Sequence, residues 1–408
     1  MNTQQSTDLP EAIAPNREDW RSVTQIEVIL KTASRCNIAC PGCYFFEGAD
    51  QSWRQHDKVI SRQTVRDVAN FFAQGIEDLP NLKRIVFDFH GGEPTLQRPA
   101  DFDWMCTLLT DSLSARVELE FHVQTNGVLL NEQWLTLFEK HKVGCGVSLD
   151  GPADVNDIAR PDHRGRGTYD RAVRGLRLLQ AAHAQGRLER EPGVLCTINP
   201  NASGRRIHRH FVDDLNVSRY ELIIPDNSHD APPAAPPAAL ARFLVEAFEE
   251  WCADDDPTMQ VRIHQSVMVR MLGTTTHLFP DYSTQAQFVA FTITSSGHVE
   301  PPDELRNCYQ WESTEQPHVN RVRLSDFFQS SLMRSIAHQV RHVPRGCHDC
   351  QWRKICNGGP PQTRYSRQSG FDNPSVWCEA LRTYYETIFD YMLSSGVPAE
   401  KLIESVVP

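Results

Sequence analysis

The sequence lacks a long apolar run, an amino-terminal targeting signal and an excess of basic residues. No stretch reaches the roughly 18 apolar residues that a membrane-spanning helix needs, and the polar start MNTQQSTDLPEAIAPNRED has no hydrophobic signal segment. Acidic residues outnumber basic ones by 52 to 41, for a net charge of −11. Sequence-independent binding to nucleic acid requires the opposite balance. The sequence therefore predicts a cytoplasmic protein that binds neither membranes nor nucleic acid.

Cysteine is plentiful but unevenly placed. The chain has 12 cysteines, which in a cytosolic protein do not form a disulfide framework. Seven lie in two groups: Cys36, Cys40 and Cys43 near the start, and Cys347, Cys350, Cys356 and Cys378 near the end. This clustering indicates metal binding. We expect four of the others to be small core residues: Cys106, Cys145, Cys196 and Cys252.

Strand-like runs alternate with amphipathic helical patterns up to about residue 225. Strands are predicted at 25–31, 84–89, 118–124, 144–149, 193–198 and 219–224. Helices are predicted at 61–78, with Ser61 as N-cap, and at 101–115, 131–141, 168–185 and 204–215. Consecutive β-α units imply a parallel α/β sheet, since parallel strands need crossovers. An open doubly wound sheet and a partial barrel both satisfy the pattern.

Unusual motifs follow the first four predicted strands. The cysteine triplet follows the first strand, HGGEPT the second, QTNG closes the third and SLDGP ends the fourth. In both candidate folds the carboxyl ends of the strands carry the chemistry. The common position of these motifs therefore predicts an active site there.

The first cysteine group supplies three thiolates at C-x3-C-x2-C spacing but no fourth ligand. A structural zinc site needs four ligands, which His56 could complete, and the C-x2-C pair alone would suit a thioredoxin-like redox motif. A [4Fe–4S] cluster held by three thiolates leaves one iron open to a chelating molecule. The spacing favours iron–sulfur and leaves zinc open.

The second cysteine group has four thiolates, at C-x2-C-x5-C spacing with Cys378 further along. Four thiolates on loops suit either zinc or [4Fe–4S], and this group by itself favours zinc. Cys308 lies nearby in the sequence and is an alternative ligand.

Together, the triplet and HGGEPT resemble the radical SAM superfamily. The resemblance implies a partial (β/α)6 barrel, with a [4Fe–4S] cluster on Cys36, Cys40 and Cys43 that binds S-adenosylmethionine. It also implies that the backbone of Gly91, Gly92, Glu93 and Pro94 grips the amino group of this cofactor. The Glu93 carboxylate is then expected to meet the ammonium.

The SLDGP stretch resembles that of sulfatase-maturing and peptide-modifying members. The resemblance implies that Ser148 and Arg160 contact the methionine carboxylate and the ribose. Gln124 and Asn126 of QTNG are implied to lie at the same cofactor- and substrate-facing strand end. Gly42 departs from the pattern, which has an aromatic residue before the third cysteine.

The second cysteine group then resembles the SPASM domain, which binds two auxiliary clusters. Pro302 and Pro360 stand where that pattern has cysteines. We therefore expect one auxiliary cluster, held by Cys347, Cys350, Cys356 and Cys378. By the same resemblance, Asp303 takes a proton from the substrate.

Within the superfamily, residues 34–54 look most like the FxsB-like maturases, which form three-residue cyclophanes, and more distantly like anaerobic sulfatase-maturing enzymes. This implies a 5′-deoxyadenosyl radical that activates a Cβ of a ribosomal precursor peptide, and a flavodoxin- or ferredoxin-type electron donor. Formylglycine or thioether formation is the enzymatic alternative. A zinc-binding regulator is the non-enzymatic alternative.

The sequence divides into five predicted segments. A Pro/Ala linker at 230–241 separates the barrel from the rest. The segments are a flexible tail 1–22, the barrel 23–229, a linker with bridging helices 230–285, a SPASM- or twitch-like iron–sulfur domain 286–395 and a tail 396–408.

Overall fold

The computed structural model describes residues 19–274, 288–308 and 316–406. Within these ranges, nine strands form one sheet in the order β7-β6-β5-β4-β3-β2-β1-β8-β9. The strands are β1 Gln25–Ala33, β2 Arg84–Gly91, β3 Glu118–Thr125, β4 Gly144–Ser148, β5 Gly193–Thr197, β6 Arg219–Ile223, β7 Gln260–Val261, β8 Phe288–Ile293 and β9 Val299–Glu300.

The six predicted strands are confirmed as β1 to β6, each parallel to the next. Their alternate apolar side chains enter the core; in β1, Ile26, Val28 and Leu30 are fully buried. Helices cross between successive strands, as parallel pairing requires. The α/β fold with a parallel sheet, arranged as successive β-α units, is therefore confirmed.

The helices lie close to the predicted positions. Helix α1 begins after Ser61, whose side chain accepts a hydrogen bond from the backbone N–H of Thr64, as predicted for an N-cap. Within the described ranges they are α1 Arg62–Asp78, α2 Pro99–Leu113, α3 Glu132–Lys140, α4 Ala153–Ala159, α5 Tyr169–Ala184, α6 Gly204–Arg209, α7 Pro237–Asp254, α8 Arg262–Met271, α9 Leu324–Phe328, α10 Ser331–Arg341, α11 Arg353–Cys356, α12 Pro361–Arg364, α13 Cys378–Ser394 and α14 Ala399–Val406. Short 3-10 turns cover Asp19–Ser22, Ser52–Arg54, Pro94–Leu96, Asp303–Cys308 and Arg345–Cys347.

The C-terminal region joins the barrel sheet, which the sequence pattern did not indicate. Strand β8 pairs in parallel with β1, and β9 pairs antiparallel with β8. The buried Phe291 and Ile293 of β8 contribute to the same hydrophobic core as β1. This pairing places the turn that begins at Asp303 next to the end of β1.

Three boundary predictions are corrected. The linker 230–241 ends early, because α7 already begins at Pro237, where proline suits a first helical turn. The predicted helix 204–215 divides into α6 and a π turn, His210–Asp214. The predicted tail 396–408 contains α14, whose Leu402 and Val406 are buried. Residues 1–18 of the predicted N-terminal tail, and 275–285 of the bridging segment, lie outside the described residues.

The remaining cysteines and the helices agree with the sequence on two further points. Cys106, Cys145 and Cys196 are buried core residues as predicted, whereas Cys252 is partly exposed and packs against the core. All 12 cysteines lie in the described ranges, and none forms a disulfide. Among the described helices, none is long and apolar enough to cross a membrane.

Candidate active site

The cysteine triplet lies in the loop after β1, held against the β4–β5 connection. The backbone N–H of Ala39 donates to the carbonyl of Pro161 at 2.8 Å, and His163 Nε2 lies 2.9 Å from the carbonyl of Cys36. Burial, reinforced by the neighbouring thiols, raises the pKa of Cys36 to about 12, and burial raises that of Cys40 to about 11. Such thiols become thiolates when a metal replaces the proton.

The HGGEPT turn packs its backbone directly onto the chain after β1. The N–H of Gly92 donates to the carbonyl of Ala33 at 2.8 Å, and that of Glu93 to the carbonyl of Arg35 at 2.9 Å. A Cβ atom on Gly91 or Gly92 would lie 2.3 Å from these carbonyl oxygens. The approach of the two backbones therefore requires glycine at both positions.

Glu93 is buried and joins three strand ends. Its Oε1 accepts hydrogen bonds from the Thr95 N–H at 3.0 Å, from the Thr95 hydroxyl and from the Thr125 hydroxyl at 2.7 Å. Its Oε2 accepts from the Asn126 N–H at 2.8 Å. This corrects the expectation that the carboxylate meets the cofactor ammonium, because both oxygens are engaged by the protein. Pro94 starts the turn that positions Thr95.

The ends of β3 and β4 bring the other predicted polar residues to the triplet. Gln124 Nε2 donates to Ser148 Oγ at 2.9 Å across the two strands. The Asn126 amide donates to Asn37 Oδ1 at 2.8 Å and lies 3.7 Å from Cys36 Sγ. Hydrogen bonds to cluster sulfurs tune reduction potential, so Asn126 lies where it can act on a cluster at Cys36.

Arg160 lies near the triplet in a fixed orientation. Its Nε and Nη2 donate to the two carboxylate oxygens of Asp150 at 2.8 and 2.9 Å. Asp150 Oδ1 also accepts from the Thr197 N–H at 2.9 Å. After the dominant effect of burial, the Arg160 charge is the next largest influence on the pKa of Cys40, which it lowers. Sequence reasoning selected Ser148 from SLDGP and missed Asp150, the residue that orients the arginine.

Asp303 reaches the same end of the sheet and is buried there. Lys31 Nζ donates to its Oδ2 at 2.5 Å, and the Tyr44 hydroxyl donates to the same oxygen. Burial acts to raise the pKa of Asp303, but the Lys31 charge and its other neighbours outweigh burial and hold this pKa below its ordinary value. Lys31, on β1, was missed by sequence reasoning, although a lysine within the apolar run EVILKTA was a usable signal.

A second buried ionic group fixes the segment between the triplet and Asp303. Arg306 pairs with Asp50 at 2.6 Å and with Glu300 at 3.0 Å, and all three side chains are at most 4% exposed. Ser52 Oγ accepts from Arg306 Nη2 at 2.8 Å. Asp50 and Ser52 belong to the segment ADQSWR, which therefore has a structural role here. His56, which was weighed as a zinc ligand, instead lies 3.8 Å from Glu300.

The second cysteine group gathers between α11 and α13. Burial, with added repulsion from the other thiols of the group, raises the pKa of Cys347 to about 11. The pKa of Cys356 rises to about 12, with burial again the largest cause. The buried Tyr385 hydroxyl faces Cys356. Cys308 instead packs with Leu305, Ile336 and Phe371 in a separate hydrophobic cluster, which does not favour it as a ligand.

Over the ranges that the structure describes, no group of three His, Cys, Asp or Glu side chains is arranged to hold a single metal ion. The two cysteine groups are looser than a mononuclear site with Zn–S bonds of about 2.3 Å. Each nevertheless has a polar hydrogen directed at a cysteine sulfur, from Asn126 in the first group and Tyr385 in the second. These groups fit iron–sulfur clusters, whose sulfurs accept hydrogen bonds.

Comparison with known families gives one match. Residues 30–185 match the Radical SAM superfamily, a span that contains the triplet, HGGEPT, Ser148 and Arg160. The chain carries a radical SAM domain. It is therefore an enzyme, and its cofactors are S-adenosylmethionine and a [4Fe–4S] cluster. The non-enzymatic alternative, a zinc-binding regulator, is wrong.

Relatives align with nearly the whole chain. A cysteine-type anaerobic sulfatase-maturating enzyme of Clostridium novyi is 22% identical over 88% of this chain and 94% of its own length. A serine-type enzyme of Bacteroides thetaiotaomicron is 22% identical over 88% and 87%. The solved structure of anSMEcpe with bound AdoMet and Cp18Cys peptide has a TM-score of 0.77 at 19% identity and covers 91% of this chain and 98% of that one. The fold thus extends beyond the radical SAM domain to the C-terminal region. These relatives do not test membership of the FxsB-like group.

Proposed function

We propose that this radical SAM enzyme modifies a polypeptide substrate by oxidising the Cβ of a cysteine or serine to formylglycine. The observation that carries the proposal is the position of Asp303. This carboxylate is buried at the strand ends and bonded to Tyr44, the residue after Cys43. The oxidation requires a proton acceptor close to the radical site. The similarity to sulfatase-maturating enzymes along almost the whole chain supports this outcome.

The residues divide into two tasks. The cluster and S-adenosylmethionine supply, when bound, a carbon radical that removes a hydrogen atom from the substrate. Cys36, Cys40 and Cys43 would hold the cluster, while the Asp150-oriented Arg160 binds the cofactor carboxylate or ribose. Asp303 accepts the substrate proton. Its burial excludes water from the reacting carbon.

The C-terminal region would hold one auxiliary cluster. Cys347, Cys350, Cys356 and Cys378 supply its four thiolates, and the cluster serves as a one-electron site. Pro360 precedes α12, so no thiolate is available at this position of the SPASM pattern. Pro302 likewise stands directly before Asp303. This account therefore involves two clusters rather than three.

Cyclophane formation is the second candidate. It is favoured by the resemblance of residues 34–54 to FxsB-like maturases and by the prolines at 302 and 360, which depart from the SPASM pattern. The buried pair of Asp50 with Arg306 gives part of that segment a structural explanation and weakens the argument from resemblance. Both candidates need the same hydrogen abstraction and the same proton acceptor. They differ in the product.

Mass spectrometry of candidate peptides co-expressed with the enzyme separates the two candidates. Formylglycine appears as a loss of two hydrogens from a serine peptide, or as replacement of sulfur by oxygen with the same loss from a cysteine peptide. The product then reacts with a hydrazide. A cyclophane also loses two hydrogens, but it does not react with hydrazide and resists fragmentation within the ring.

Two aspartate variants provide the matched controls. Asp303→Asn is expected to abolish the product, whereas Asp103→Asn, which alters an exposed ion-paired carboxylate on α2, is expected to retain it. A hydrazide-reactive product from Asp303→Asn at the wild-type rate would contradict the role of Asp303.

A further inference from the structure

The end of β1 carries a buried lysine whose contacts converge on Asp303. The Lys31 side chain is 0% exposed, and its Nζ lies 2.5 Å from Asp303 Oδ2 and 3.0 Å from the Tyr44 hydroxyl. His90 Nδ1 lies 3.3 Å away on the neighbouring strand β2. The ring faces of Tyr44 and Phe45 lie 5.3 and 4.8 Å from the same ammonium. A lysine in such a place is rare unless its charge is paired.

The two oxygens of Asp303 are treated differently. Oδ2 accepts hydrogen bonds from both Lys31 and Tyr44. Oδ1 is buried and accepts no hydrogen bond from the part of the chain that the structure describes. Buried carboxylate oxygens are normally satisfied. Oδ1 is therefore the atom left for a group that arrives with the substrate.

We propose that Lys31 is a positioning residue that keeps Asp303 ionised and fixes its Oδ2, so that Oδ1 is presented to the substrate. Lys31 does not itself touch the reacting atoms. This inference rests on the proposed function, because it assigns the proton-accepting atom of that reaction. It adds a residue of β1 to a site whose other members follow the strands.

The surroundings show why a cation is needed. Acidic groups face Asp303 from three sides: Asp226 after β6, Glu300 on β9 and the adjacent Glu304. The only described positive charge bonded to Asp303 is Lys31, while His90 and Tyr44 complete its titratable neighbours. Without Lys31, burial and these carboxylates would both favour the protonated acid. A protonated Asp303 cannot accept the substrate proton.

Lys31→Met removes the charge and keeps the length of the side chain. We expect the acidic limb of the pH profile of peptide modification to move upward by about 1–3 pH units, with at least a tenfold loss of rate at neutral pH. Release of 5′-deoxyadenosine without peptide is expected to stay near the wild-type level, since Lys31 is not placed at the cofactor. Lys31→Arg retains the charge and is expected to restore the wild-type profile.

Lys140→Met is the matched control, because it removes an exposed ion pair with Asp103 at 2.6 Å. It is expected to leave the profile unchanged. If Lys31→Met loses its iron or its thermal transition, Lys31→Gln replaces it in every measurement. A Lys31→Met profile identical to the wild-type profile would overturn the inference.

Infrared difference spectroscopy tests the same inference without substrate. The difference between wild type and Asp303→Asn identifies the Asp303 band in the cluster-loaded protein. We expect a carboxylate band at neutral pH in wild type and a protonated carboxyl band in Lys31→Met. A carboxylate band in both proteins refutes the role of Lys31. If no peptide is modified by wild type, the proposed function fails, while this spectrum still decides the role of Lys31.

Discussion

The first cysteine group lies among charged and amide side chains at the strand ends, whereas the second packs among buried aromatic rings. Arg160 and Asn126 face the first group. Around the second group, Trp352 and Trp377 are at most 3% exposed and Tyr385 is fully buried. Three thiols in a polar setting suit a cluster that must also bind a zwitterionic cofactor. Four thiols in an apolar setting suit a closed cluster that exchanges only electrons.

The comparison breaks most severely if the first group is removed. The triple variant Cys36→Ala, Cys40→Ala, Cys43→Ala is expected to lose all S-adenosylmethionine cleavage, because no iron remains to bind the cofactor. Iron should fall by about four atoms per chain. The checks are chromatography of 5′-deoxyadenosine and iron analysis. Measurable cleavage in this variant would contradict the assignment.

Removal of the second group tests the other half of the comparison. The double variant Cys347→Ala, Cys350→Ala is expected to lose peptide modification but to retain peptide-independent cleavage of S-adenosylmethionine. The reason is that the thiols of the first group lie in a different loop and keep their own polar partners. The same two assays provide the test. Loss of cleavage together with modification would show that the two groups do not act separately.

A smaller effect is expected from Arg160→Lys. Lysine keeps the charge but cannot make the two parallel bonds to Asp150, so the cation near Cys40 loses its fixed orientation. We expect the KM for S-adenosylmethionine to rise about tenfold with a smaller change in kcat. Arg166→Lys, at an exposed pair with Asp162, is the control. An unchanged KM would place the cofactor elsewhere.

The smallest effect is expected from Cys308→Ala. This thiol lies in an apolar cluster with Leu305, Ile336 and Phe371, so its loss should leave the iron content unchanged. The free energy of unfolding should fall by about 1 kcal/mol from lost packing. Iron analysis and thermal denaturation measure the two quantities. A loss of iron would make Cys308 a ligand and enlarge the second group.

The barrel strands could be predicted because their core residues repeat along short runs between helical patterns. Residues of β1 such as Ile26, Val28 and Leu30 carry this signal locally. The pairing of β8 with β1 could not be predicted in the same way. It joins residues more than 250 positions apart, and nothing in either run of residues specifies the partner strand.

The candidate site divides along the same line. Cysteines, glycines, Ser148 and Arg160 could be found because their spacing along the chain is distinctive. Asp150, Lys31 and the Asp50–Arg306 pair could not, since their roles depend on partners brought by other elements. Glu93 shows the converse: its position was predicted, but its hydrogen bonds to Thr95, Thr125 and the Asn126 backbone gave it a different role.

The most direct test of the central claim is the metal content of the anaerobically purified and reconstituted wild-type protein. An open three-cysteine cluster and a closed four-cysteine cluster together predict about eight iron and about eight sulfide per chain, without zinc. About four iron atoms would refute the auxiliary cluster. A colourless protein with zinc at the cysteines would contradict the account of both groups.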